Sequence, residues 1–148
     1  MMQIDFFRHK DRLKLKLERG KKYVFDPLRK KYLWFSPEES VRQLLLLHLI
    51  HDLGFNKNHF SLERGVTQNA KTGRYDLLYL DQFGQPFLLC ECKAPTVTLS
   101  DDTFWQLAHY NHKIKAPYLL ISNGMGTVCA AVHPNFVIEM VSEIPLPQ

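Results

Sequence analysis

Long apolar runs are missing from this sequence. Runs such as Leu44 to Leu47, closed by His48, are the rule, and none approaches the roughly 20 apolar residues of a membrane span. The first residues include Asp5 and Arg8 and no apolar secretion-signal core, so a cytoplasmic protein with no membrane partner is expected. Cysteine is scarce: Cys90, Cys92 and Cys129 are an odd set without a framework, which argues against a secreted disulfide scaffold. Cys90 and Cys92 fall two apart in a strand-like run and face the same way, which suits neither a redox nor a zinc pair. The seven histidines show no zinc spacing, because His48/His51 and His109/His112 each lack a third ligand. Repeats, low-complexity tracts and Gly/Ser linkers are absent too. With 148 residues, 45% hydrophobic and 23% charged, the chain reads as one domain able to bury its own core.

Charge is unevenly placed. Residues 1–31 hold eleven Lys and Arg against four acids, a surplus of seven, while the rest of the chain is acidic by three. A basic front points to an anionic partner, most commonly nucleic acid, although a solvated charged edge explains such a run as well.

Alternation in Arg12–Glu18 marks a half-buried strand that Gly20 ends, and Lys31–Phe35 reads as a further strand. Ser36-Pro37-Glu38-Glu39 opens a helix: Ser36 as N-cap, Pro37 at the first position, Glu39 completing a capping box. That helix is expected to run to about Leu53, with Gly54 as its stop. Strands follow at about 59–67, 74–80 and 86–93, then a helix at about 101–113 capped by Ser100. Three strands close the chain: Pro117–Ser122, Thr127–Val132 and Phe136–Val141, the first two separated by an Asn123-Gly124 turn. The expectation is an α/β (α+β) domain with one mixed β-sheet flanked by helices. Its division is a basic, strand-rich extension over 1–35 and a core over 36–141, with core order α-β-β-β-α-β.

Two strands carry the chemistry. Arg74-Tyr75-Asp76-Leu77-Leu78-Tyr79-Leu80 and Pro86-Phe87-Leu88-Leu89-Cys90-Glu91-Cys92-Lys93 flank Asp81–Gln85, a hairpin turn. A turn centred on Phe83-Gly84 sets Asp76 opposite Glu91 with Cβ atoms about 5 Å apart. Facing carboxylates repel unless a cation lies between them, and hard oxygens suit Mg²⁺ or Mn²⁺. Lys93 projects to the face of Glu91, where an ammonium can orient water or offset charge on a phosphate. The plainer reading makes Asp76 a turn cap and Glu91–Lys93 a surface ion pair, yet Glu91 closes an apolar run where charge is costly. A hydrolase built on Cys92 or Ser122 lacks a histidine partner in register.

These segments resemble the PD-(D/E)xK nuclease superfamily, most closely the N-terminal nuclease domain of type I restriction enzyme R (HsdR-like) subunits. The matching pieces are Phe25–Tyr32, Ser36–Gln43, Arg74-Tyr75-Asp76, Glu91-Cys92-Lys93-Ala94-Pro95, Gln106–Tyr110, Ala116–Leu120 and Ser122-Asn123-Gly124. The resemblance implies a restriction-endonuclease-like fold and a Mg²⁺-dependent deoxyribonuclease, in endonuclease form. It makes Asp76, Glu91 and the helix acid Glu39 metal ligands, and Lys93 the motif lysine. Glu39 is explained equally by its cap. Gln106 and Tyr110 match a Gln-x-x-x-Tyr motif; at i,i+4 they share a helix face that is otherwise simply half-buried. Arg29, Lys30, Lys31 and Arg74 are candidates for DNA phosphate contacts. Glu63 is a further acid near the site, more readily an ion pair with Arg64 or Lys57. A Gly-x-x-x-x-Gly-Lys-[Ser/Thr] phosphate loop is missing, so a motor or specificity function is expected from a partner protein; a homodimer is compatible with the sequence. The alternative is a catalytically inactive nucleic-acid-binding or assembly module of the same fold.

Overall fold

The computed structural model describes residues 1–61 and 75–148. Two sheets organise the chain. The first is antiparallel, with strands β1 (Leu15–Glu18), β2 (Lys21–Asp26) and β3 (Lys31–Trp34) in sequence order. β1 starts later than the alternation suggested, because Phe6–Arg12 wind into a 3₁₀ helix that buries Phe6 and His9. β2 carries one face inward: Val24 and Asp26 are both fully buried.

Helix α1 (Pro37–Leu47) begins as predicted, with the Ser36 hydroxyl accepting the Glu39 N–H at 3.0 Å. The reciprocal half of the expected capping box is replaced. The Ser36 N–H donates to the Trp34 carbonyl at 2.9 Å, which leaves the Glu39 carboxylate free for another task. After Leu47 the chain widens into a π-helical turn, His48–Asp52, before Gly54 turns it at φ +76. The buried side of the helix holds Val41, Leu44 and Leu45, but also Arg42 and Gln43.

The second sheet has five strands in order: β4 (Leu77–Leu80), β5 (Pro86–Cys92), β6 (Tyr118–Ser122), β7 (Thr127–His133) and β8 (Val137–Val141). Only β5 and β6 are parallel, joined by helix α2 (Asp101–Ile114); the other pairs are antiparallel. Both faces of β5 are covered. Leu88, Cys90 and Cys92 join the core shared with α1, while Leu89 packs with Leu107 of α2, Leu119 and Ile121. Each such leucine contributes about 1.5–3 kcal/mol by leaving water. α2 has a full capping box between Ser100 and Thr103. Ahead of β4, Phe60 makes an isolated antiparallel bridge to Tyr79. Residues 62–67 of the strand expected over 59–67, Glu63 and Arg64 among them, lie outside the described residues, as does Arg74.

The Asn123-Gly124 turn forms as predicted, the Asn123 side-chain oxygen accepting the N–H groups of Met125 and Gly126 at 2.8 Å each. Gly124 has φ +86, and a Cβ there would lie 3.3 Å from Val41 Cγ2 on α1. Gly124→Ala is therefore expected to cost on the order of 1–2 kcal/mol, from backbone strain and a crowded helix contact together. Thermal unfolding of the variant measures it; an unchanged midpoint would show that the turn relaxes freely.

Candidate active site

The β4–β5 hairpin has the register read from the sequence, with Leu77↔Cys90, Leu78↔Leu89 and Tyr79↔Leu88 as partners and a bulge at Tyr79/Leu80. Its turn is built by Asp81, whose carboxylate accepts the N–H groups of Phe83 and Gln85. The ladder stops at Leu77. Asp76 is the bend that enters it, one step beyond the last pair and across from Glu91. It is clamped at three points: its N–H donates to the Cys90 carbonyl at 3.2 Å, its carbonyl accepts from Arg42 Nε at 3.0 Å, and its Oδ2 accepts the Cys92 N–H at 2.7 Å.

Burial dominates the electrostatics of Asp76 and pushes its carboxyl up to about 6. The Cys92 N–H pulls the other way, and the negative charges of Glu38 and Glu91 add to the rise. Glu91, near the end of β5, is also raised by burial; Lys93 opposes the shift and Glu38 reinforces it. Lys93 leaves β5 with its N–H on the Ser122 carbonyl at 2.8 Å. Asp76, Glu91, Lys93 and Glu38 thus feel one another at one end of the sheet.

Glu38 is the residue that sequence reasoning passed over. Glu39 was the helix acid expected beside the sheet carboxylates, but its Oε2 accepts from Arg42 Nη1 at 2.8 Å and Gln43 Nε2 at 2.7 Å. Glu38, in the same first turn and exposed, is the helix acid whose charge reaches both Asp76 and Glu91. Two adjacent glutamates offer no signal in sequence for which one Arg42 and Gln43 engage and which stays exposed.

Arg42 was equally hidden. It is 4% exposed, and its Nη1 donates to Asp26 Oδ2 at 3.1 Å as well as to Glu39. Asp26 takes a further bond from Arg29 at 2.9 Å and one from the Leu28 N–H. The guanidinium therefore ties the end of β2, the first turn of α1 and the main chain of Asp76 together. Of the residues expected to meet phosphate, Arg29 is engaged with Asp26, while Lys30 and Lys31 are exposed. Gln106 and Tyr110 both lie on α2, Gln106 exposed and Tyr110 half-buried against the second core.

A chelating trio of His, Cys, Asp or Glu with all ligand atoms within 4.8 Å occurs once among the described residues, at His9, His48 and Asp52. The third ligand that His48 lacked in sequence comes from these two. One Asp52 oxygen takes the Arg8 ion pair and hydrogen bonds from His9 and His48, so the cluster ties the N-terminal 3₁₀ helix to the turn that ends α1. Asp76, Glu91 and a helix acid stand wider than that distance. Asp76 and Glu91, half-buried and opposite each other in the hairpin register, are a donor set that could hold Mg²⁺ or Mn²⁺, because Mg²⁺ keeps several waters and uses only one or two protein carboxylates. His112 stacks on Phe136 at 4.1 Å. Cys92 is fully buried and burial holds its thiol well above the ordinary range, so no thiolate nucleophile is available there.

The sequence pattern of the family described as Type I restriction enzyme R protein N terminus (HSDR_N) matches residues 37–145, most of the chain. The protein belongs to that family. No curated protein and no solved structure matches it. No helix among the described residues is long and apolar enough to cross a membrane.

Proposed function

We propose that this protein is a metal-dependent deoxyribonuclease acting at Asp76, Glu91 and Lys93. The observation that carries the reading is the hairpin register, which sets Asp76 across from Glu91 with its Oδ2 on the Cys92 N–H and Lys93 two residues beyond Glu91; burial and like charge raise both carboxyls. Burying two acids that repel is costly in an idle structure and favourable where a cation is to be bound. When bound, a divalent ion supplies the charge that acidifies a water and polarises a phosphoryl oxygen. Asp76 and Glu91 would hold it, and Glu38 would offer a further carboxylate nearby. Lys93 sets its ammonium beside Glu91, where it orients the attacking water and offsets charge growing on the phosphate. Lys30 and Lys31 supply exposed charge for the DNA backbone. A motor or specificity function would come from a partner protein.

The rival reading is an inactive nucleic-acid-binding or assembly module, and it draws on the absence, among the described residues, of three acids within 4.8 Å of one another at this end of the sheet. Plasmid nicking separates the two. The protein is expected to nick in Mg²⁺ or Mn²⁺, to stop in chelator, and to lose most activity as Lys93→Ala. Nicking that is equal in all three conditions, or absent throughout, would sink the proposal.

A further inference from the structure

The small sheet turns one face to solvent. Its register sets Lys16 beside Tyr23 and Tyr23 beside Trp34, with Phe25 beside Tyr32 one step along. The opposite face carries the buried Val24 and Asp26. On the open face each of three lysines lies over a ring. Lys14 Nζ is 4.9 Å from the Phe25 centroid, Lys16 Nζ 4.2 Å from that of Tyr32, and Lys21 Nζ 5.9 Å from that of Trp34. Phe25 and Tyr32 meet edge to face at 5.4 Å, and Trp34 is 60% exposed. Glu18 is the acid on this face, across from Lys21 and bonded to Lys16 at 3.1 Å.

Ammonium groups interleaved with flat rings match a chain of phosphates and unstacked bases. Bases stack on aromatic faces with little regard to sequence, while lysines follow the backbone. A duplex keeps its base faces inside and has no use for such rings. Open sheet faces bearing aromatics are a recurrent platform for single strands. The exchange is inexpensive here, because a flexible lysine stem can move its charge from ring to phosphate and leave the ring to a base. Position agrees as well. Asp26, at the end of β2 on the opposite face, is bridged by Arg42 to the main chain of Asp76, so the small sheet is anchored to the element that carries the carboxylate site.

We propose that the Lys14–Lys16–Lys21 and Phe25–Tyr32–Trp34 face binds single-stranded DNA, on a sheet anchored to the Asp76–Glu91 site. The choice of DNA rests on the nuclease reading; the stacking and charge argument does not.

The test is fluorescence anisotropy of the full chain in chelator, so that no cleavage intervenes. Probes are a labelled oligodeoxythymidine about 20 nucleotides long, more than one site of about 4–16 nucleotides, and a mixed-sequence duplex of the same length. The single strand is expected to bind more tightly. Trp34→Ala should weaken it about tenfold and Trp34→Phe should restore most of the loss. Lys14→Gln with Lys16→Gln should flatten the dependence of log K on log salt by about 0.7 per lysine. All these positions are exposed or half-exposed, so unfolding midpoints should stay near wild type. Preference for the duplex, absence of binding, or indifference to Trp34→Ala would each overturn the proposal. Indifference to Trp34→Ala in a protein that nicks plasmid removes this inference and leaves the nuclease reading. Trp34-dependent binding in a protein that never nicks does the reverse.

Discussion

Asp76→Asn is expected to abolish metal-dependent cleavage and, in the same molecule, to stabilise the metal-free protein near pH 7.5. The loss of activity, about a thousandfold or more, follows from removing a charged metal ligand. The gain in stability follows from burial, which raises the carboxyl to about 6, and from the charges of Glu38 and Glu91. Because this folded-state value exceeds the unfolded one, folding takes up a proton. The contribution is complete below the ordinary carboxylate range near 4 and is lost as pH rises through about 6. At pH 7.5 wild type therefore holds a disfavoured charge that the amide does not, a difference on the order of 2 kcal/mol. The asparagine oxygen can still accept the Cys92 N–H. Burial lowers His48 and the donors around Asp52 lower that carboxyl, which gives the opposite pH slope, but equally in both proteins. Chemical denaturation of the pair at pH 7.5 and pH 4.5 reads the effect directly. The advantage of Asp76→Asn should vanish at the lower pH, and saturating Mn²⁺ should reverse it by stabilising wild type alone. A variant less stable than wild type at both pH values would remove the electrostatic account of the site.

The second large effect concerns Asp26. It is wholly buried and receives Arg29, Arg42 and the Leu28 N–H. Burial pushes its carboxyl up, but Arg42, the Leu28 N–H and Arg29 together hold it below the ordinary carboxylate range. Asp26→Ala leaves the buried Arg42 with one counter-charge, Glu39, and should cost about 3–5 kcal/mol. The consequence extends to the site, because the same guanidinium holds the Asp76 carbonyl. Urea unfolding gives the stability change. Nicking measured under conditions where the variant remains folded tests the coupling, with a rise in the metal concentration needed for half-maximal cleavage as the expected result. A fully folded variant with wild-type metal dependence would show that Arg42 keeps its place without Asp26.

Much of this was legible in the residues. Period-two alternation, the Ser36-Pro37 and Ser100 caps and the Asn123-Gly124 turn set most elements within a residue or two. The hairpin register was read correctly from a turn that proved wider than a two-residue hairpin, since the bulge at Tyr79/Leu80 absorbs the difference. What escaped has a common cause. Phe6–Arg12 shows no helical periodicity, and its partner Asp52 lies on a segment some forty residues away. Glu38 against Glu39, and the burial of Arg42, depend on which way one helix turn faces a distant strand. The aromatic face of the small sheet was masked because the basic residues around it read simply as charge. Pairings set by long-range geometry leave little trace in a single sequence.

The sheet's single parallel pair has a consequence for how the molecule assembles. β4 and β5 meet through a short turn, as do β6 and β7, while β5 and β6 can join only after α2 has crossed between them. Closing the long loop is the slow, entropically demanding event. Asp76 and Glu91 belong to one hairpin, so their spacing is decided by local chain contacts before that event. The expected order of folding thus sets the carboxylates first and completes the scaffold around them afterwards.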